Sequence, residues 1–156
     1  MKGRAKIVLA AAMPVILLAC DRLAKWYAQA ALSSKGGAVL LPGLQYGYFL
    51  NSGLAFSTFG PAVAIIASAL AFGALAILGL RLGWKREGAI LPHSLGSFLL
   101  IALGGASNVY DRITDGGVID YILFARSAWN IADIMILAGL ALMLWRLPTG
   151  GKRTGG

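Results

Sequence analysis

A run of twenty residues, Pro61 to Leu80, carries no charge. A helix crossing a bilayer core needs about 20 predominantly apolar residues. Ala89 to Ala106 adds eighteen more, with only His93 near the start. Ile7 to Leu18 leads through Ala19 and Cys20 into Asp21 and Arg22, and apolar residues at helical spacing continue to about Ala30. Ile131 to Trp145 is apolar apart from Asp133 near its beginning. With 58% hydrophobic and 13% charged residues in 156, the chain holds more apolar surface than one water-soluble core could bury. The same excess excludes intrinsic disorder. In lipid every backbone polar group must be satisfied within its own segment, so the runs predict helices. The expectation is a mainly α, polytopic membrane protein with a single domain over 1–156 and transmembrane helices at about 7–30, 61–80, 89–106 and 131–147.

Charge sets the orientation. Four spans place the N-terminal tail (Lys2, Arg4, Lys6), the second connection (Arg81, Lys85, Arg86) and the C-terminal tail (Arg146, Lys152, Arg153) on one side. Nine of the fourteen basic residues fall there with one acid, Glu87, while the other side carries five of each sign. The positive-inside rule makes the basic side, with both termini, cytoplasmic. The net charge of +8 is therefore a topology signal in contact with anionic lipid, and it does not form a nucleic-acid surface.

Three basic residues, an apolar stretch and Leu17-Leu18-Ala19-Cys20 imitate a signal sequence ending at a lipid-modified cysteine. Against cleavage stand the bulk of Leu18 and the return of the helical pattern at Leu23, Trp26 and Tyr27. Cys20 reads as a small apolar residue of the first helix. One cysteine rules out a disulfide framework, and the sole histidine falls on the other side from the five aspartates with no ligand spacing, so a metal site is not expected.

Two segments, about 31–60 and 107–130, lie on the electrically balanced side. In the first, Val39 to Leu41 and Tyr46 to Leu50 read as short strands between glycines. Asn51-Ser52-Gly53-Leu54-Ala55-Phe56 is more polar than a cap resting on lipid requires. In the second, Asn130 suits a helix N-cap and Asp133 its first turn, where the dipole favours negative charge. Asp115-Gly116-Gly117 is a turn, Asp111 beside Arg112 suggests a local pair, and Asp21 with Lys25 has i, i+4 spacing. Asp120 fits none of these structural roles, because it interrupts Val118-Ile119-Asp120-Tyr121-Ile122 with no adjacent cation. An unpaired carboxylate in an apolar setting is costly, and a proton shared between Asp120 and Asp133 would relieve both. Such a pair can deprotonate a water and protonate a carbonyl oxygen.

Five segments in order resemble the lipoprotein signal peptidase (signal peptidase II) family: Asp21-Arg22-Leu23-Ala24-Lys25, Asn51 to Phe56, Gly104-Gly105-Ala106-Ser107-Asn108-Val109-Tyr110-Asp111-Arg112, Gly117-Val118-Ile119-Asp120-Tyr121 and Trp129-Asn130-Ile131-Ala132-Asp133. The resemblance covers the whole chain and implies an aspartic endopeptidase of the bacterial inner membrane. It implies four helices, a small extracytoplasmic β-cradle, and an active site near the outer face. By resemblance Asp120 and Asp133 are catalytic. Asn51, Gly53, Asn108, Asp111, Arg112, Asn130 and Ala132 bind substrate or support the site, and Asp21 and Lys25 are structural. The implied substrates are diacylglyceryl-prolipoproteins cut before the modified cysteine, with membrane lipid and globomycin-type inhibitors as further ligands and no cofactor. Where the family usually has Phe, this chain has Tyr121 and Trp129. A four-helix transporter or a structural membrane protein is the alternative from the residues alone. A transporter would place ionisable groups near the midplane, where the runs at 61–80 and 89–106 are bare.

Overall fold

A computed structural model of the chain describes residues 2–33, 37–52, 92–124 and 127–145, together with isolated helical positions between 62 and 77. Apart from those positions the expected span at 61–80 lies outside the described residues, as do Gly53 and the rest of 53–60, Lys35, Arg126, the connection at 81–91 and the tail from Arg146.

Helix α1 spans Lys2–Tyr27 and passes into a π-helical turn, Ala28–Leu32. It runs unbroken through Cys20, as the resumed apolar pattern predicts. The stretch Ala5–Leu32 has a mean hydropathy of 2.0 and is long and apolar enough to cross a membrane. Only 11% of its apolar window is buried, whereas a helix in a soluble core would be mostly covered. Leu9 is 70% and Trp26 67% exposed, yet Pro14, Asp21, Lys25 and Ala28, on one face, are buried. The helix is thus apolar outward and ionic inward, the arrangement a lipid solvent favours.

Helix α2, Pro92–Thr114, continues past its apolar run, so Ser107, Asn108, Asp111 and Arg112, at the start of the expected outer segment, sit on its last turns. Those four positions share one face at i, i+1, i+4 and i+5. The face is helical despite its polarity because the Asp111 carboxylate is neutralised by Arg22 and Lys25 of α1.

Helix α3, Ile131–Leu144, is opened by a capping box: Asn130 accepts from the Asp133 backbone N–H, and Asp133 accepts from that of Asn130. α2 and α3 approach closely at two glycines. A Cβ on Gly104 would lie 2.6 Å from the Ala132 carbonyl oxygen, and one on Gly139 would lie 2.7 Å from Ile101 Cγ1. Small residues at such crossings let backbones pack where no hydrophobic effect drives helices together.

Strands β1 (Ala38–Leu41), β2 (Leu44–Asn51), β3 (Val118–Phe124) and β4 (Ser127–Trp129) form one antiparallel sheet in that order. Pro42 and Gly43 turn β1 into β2, with Gly43 at φ +80°. Tyr46 fastens the sheet to α1: its hydroxyl donates to the Ala24 carbonyl at 3.1 Å, and its ring lies between Tyr27 and Tyr121. Val118 to Tyr121 are buried, while all of β1 is exposed. The strands expected in 31–60 are present, and the chain is mainly helical with a small antiparallel sheet.

Candidate active site

Pairing of Asn51 with Val118 across β2 and β3 sets Asn51 diagonal to Asp120 on the same side of the sheet. From there the Asn51 Nδ2 donates to Asp120 Oδ2 at 3.1 Å. Asn130 Nδ2 donates to Asp120 Oδ1 at 2.6 Å. Asp120 is 1% exposed and makes no ion pair among the described residues. Burial pushes its carboxyl above the ordinary value of 3.8, against the pull of the two amides and of the Lys25 and Arg112 charges.

The same Asn130 holds Asp133. Its Oδ1 accepts from the Asp133 backbone N–H at 2.8 Å, and its own N–H donates to Asp133 Oδ2 at 3.3 Å. Asp133 Oδ1 accepts from Asn108 Nδ2 at 2.8 Å. One residue between a strand end and a helix start therefore grips both aspartates, and both oxygens of each carboxyl receive an N–H. Asp133 is half-buried, so it is the member of the pair nearer to solvent.

Behind Asn108 lies a buried ionic cluster. Lys25 Nζ reaches Asp111 Oδ2 at 2.6 Å, Asn108 Oδ1 at 2.8 Å, Asp21 Oδ2 at 3.1 Å and Ser107 Oγ at 3.4 Å, and Asp21, Lys25 and Asp111 are fully buried. Arg22 pairs with the other oxygen of Asp111 and stacks its guanidinium over the Tyr110 ring at 4.6 Å. Two cations thus balance two carboxylates, which is how buried charge is tolerated. The expected local pair of Asp111 with Arg112 is replaced by these pairs to α1, because helical geometry turns adjacent side chains away from one another. The i, i+4 pair of Asp21 with Lys25 is present, as one edge of this cluster.

Asp21 also accepts from Ser107 Oγ at 2.7 Å, from Tyr121 Oη at 3.0 Å and from the Ala132 backbone N–H at 3.2 Å. Tyr121 Oη in turn accepts from the Ile131 N–H at 3.0 Å. Burial, then the Asp21 carboxylate, push the Tyr121 phenol up, so it remains a donor. Ala132 contributes through its backbone, and its small side chain sits fully buried at the α2–α3 crossing. Arg112 is half-buried and makes no ion pair among the described residues; it acts on Asp120 through its charge.

Of the expected site residues, Asn51, Asn108, Asn130, Asp120 and Asp133 come together in one hydrogen-bonded set. Asp21, Lys25 and Asp111 lie one shell behind it, Arg112 beside it, and Gly53 outside the described residues. The sequence marks Tyr121 only as a departure from the family's usual Phe, and it assigns neither Tyr121 nor Ser107 a role in the site. The one signal for Tyr121 is a phenol where the apolar strand needed only a ring.

The chain resembles known proteins over nearly its whole length. The profile of the family described as signal peptidase (SPase) II matches residues 13–148. A lipoprotein signal peptidase of Pseudoalteromonas translucida is 32% identical over 144 residues, covering 88% of this chain and 87% of that protein. One from Mesorhizobium japonicum is 30% identical over 151 residues, covering 92% and 87%. A bacterial membrane enzyme solved by the in meso method at 2.3 Å superposes with a TM-score of 0.74 at 17% identity, over 95% of this chain and 93% of that one. That likeness bears on the fold.

Proposed function

This chain belongs to the signal peptidase II family and is a membrane peptidase that removes signal peptides from prolipoproteins; we propose that it does so with Asp120 and Asp133 as a catalytic pair. The observation that carries this reading is the double grip of Asn130, whose side-chain NH2 donates to the strand carboxylate of Asp120 and whose backbone N–H donates to the helix carboxylate of Asp133. Two carboxyl groups so held share one proton at rest. The ionised member takes a proton from water as the water oxygen attacks the scissile carbonyl carbon. The protonated member gives its proton to the carbonyl oxygen. As the resulting gem-diol collapses, a proton passes to the amide nitrogen, the C–N bond breaks, and the pair again holds one proton. No acyl-enzyme forms.

The substrate is a diacylglyceryl-prolipoprotein cut just before its lipid-modified cysteine. Its signal helix lies in the bilayer beside α1 and α2, and the lipid enters laterally. Asn51, Asn108 and Asn130 orient the pair, Arg112 faces substrate, Asp111 and Ala132 support the site from behind, and Gly53 matches a family motif position that binds substrate or supports the site. The chain forms one domain with four spans, at about 7–30, 61–80, 89–106 and 131–147, both termini cytoplasmic and the sheet at the outer boundary of the inner membrane. In support, the exposed Val39, Leu40 and Leu41 of β1 give that sheet an apolar edge suited to headgroups. Globomycin-type inhibitors occupy the same site.

The test is incubation of the purified chain in micelles with a diacylglyceryl-prolipoprotein and with its unlipidated form, the products read by mass spectrometry. Cleavage only of the lipidated form, on the N-terminal side of the cysteine, is expected. Equal cleavage of both, or a cut elsewhere, would overturn the substrate assignment.

A further inference from the structure

We infer that Lys25 is a positioning residue for Asp133, acting through the side-chain amide of Asn108. The inference rests on the assignment of Asp133 to the catalytic pair. An amide can present either its oxygen or its NH2 to a neighbour, and the two are told apart only by what surrounds them. An ammonium has three donors and no acceptor. Lys25 Nζ, 2.8 Å from the Asn108 side chain and fully buried, therefore fixes the oxygen toward itself. The NH2 is left facing Asp133, 2.8 Å from Oδ1.

The three protons of Lys25 are accounted for by its three closest contacts, to Asp111 Oδ2, Asn108 Oδ1 and Asp21 Oδ2. Ser107, at 3.4 Å, donates its own hydroxyl proton to Asp21. Two of the three protons neutralise carboxylates, and the third is spent on an uncharged amide. A pin between α1 and α2 needs only the first two. The third polarises the Asn108 amide, and hydrogen bonds in a chain strengthen one another in a low-dielectric interior. Its effect is to aim a stronger donor at the reacting carboxylate. In the opposite orientation the Asn108 oxygen would face Asp133 Oδ1 and repel it.

The test is a double-mutant cycle. Removing Lys25 alone would leave two buried carboxylates short of a cation, so Lys25→Met is combined with Asp111→Asn, which leaves one carboxylate, Asp21, still holding its three other donors, and one cation, Arg22, joined to it through Ser107. The K25M/D111N protein should retain its Tm and KM for diacylglyceryl-prolipoprotein, while kcat falls roughly tenfold to a hundredfold, the scale of one charge-assisted hydrogen bond. In an Asn108→Ala background the same pair of changes should cost nothing further, because the route is already cut. Unchanged kcat in K25M/D111N, or a loss that persists in full on N108A, overturns the inference.

If N108A cleaves too slowly to measure, the side-chain amide proton shift of 15N-labelled Asn108 reads the same bond. It should move upfield in K25M/D111N, and a fixed shift counts against the inference. If K25M/D111N does not fold, Asn108→Asp tests the other end. It still accepts from Lys25 but offers Asp133 no amide donor, so a folded protein with lowered kcat and unchanged KM is expected, and full kcat overturns the inference. Asp120→Asn and Asp133→Asn run in parallel keep the two readings apart. Activity in both removes the catalytic pair itself, whereas their inactivity beside an additive cycle removes only the role of Lys25.

Discussion

Asn130 caps α3 with its carbonyl oxygen and holds Asp120 with its NH2, so a residue whose ordinary role is local has a second, long-range one. The sequence makes the first role legible, because Asn before an apolar helix is a cap. It makes Asp120 conspicuous, because nothing near it in the chain balances its charge. It shows the i, i+4 pair of Asp21 with Lys25 but hides their further partners, since Asp111 and Tyr121 reach them only after folding. Burial raises the Asp120 carboxyl and the Asn51 amide lowers it, so Asn51→Ala removes a pull toward the ionised form. The proton then stays on to higher pH, and the alkaline limb of the kcat profile should move upward whatever the height of the plateau. An alkaline limb that stays put or moves down would show that Asp120 does not supply the proton.

At the scale of elements, the strands follow from their residues, aromatic and β-branched between turn formers, and α1 follows from its apolar spacing. The end of α2 does not. Its last turns are polar, and polarity after an apolar run reads as an exit from the membrane. They stay helical because α1 offers two cations to the same face. The contact between α2 and α3 yields a prediction in which space decides. At Gly104 a Cβ would meet the Ala132 backbone oxygen at 2.6 Å, while at Gly96 it would meet Ala10 atoms no nearer than 3.6 Å, ordinary contact. Gly104→Val should destabilise by about 1–3 kcal/mol and displace Asp133 along with α3, lowering activity. Gly96→Ala should leave thermal unfolding in detergent nearly unchanged. Equal Tm values for the two variants would contradict the close crossing.

For the whole molecule, the distribution of polarity is the reverse of a soluble fold: Leu9, Leu23 and Trp26 face outward and a four-residue ionic cluster lies inside. Hydropathy makes the membrane legible at once, and the five motif segments name the site's residues, but the contacts that join those segments form only on folding. Orientation is testable in cells with Cys20 replaced by Ser. A cysteine at Thr114 should react with a membrane-impermeant maleimide in spheroplasts, and one at Lys152 should react only after permeabilisation. The reverse pattern would turn the proposed topology over. The central claim, that Asp120 and Asp133 together cut the signal peptide, is tested most directly by single-turnover cleavage of a diacylglyceryl-prolipoprotein by purified wild-type, Asp120→Asn and Asp133→Asn proteins of matched Tm. Rapid cleavage by the first is expected, with a rate reduced by at least about a thousandfold in each variant; near-wild-type cleavage by either variant would remove the catalytic pair.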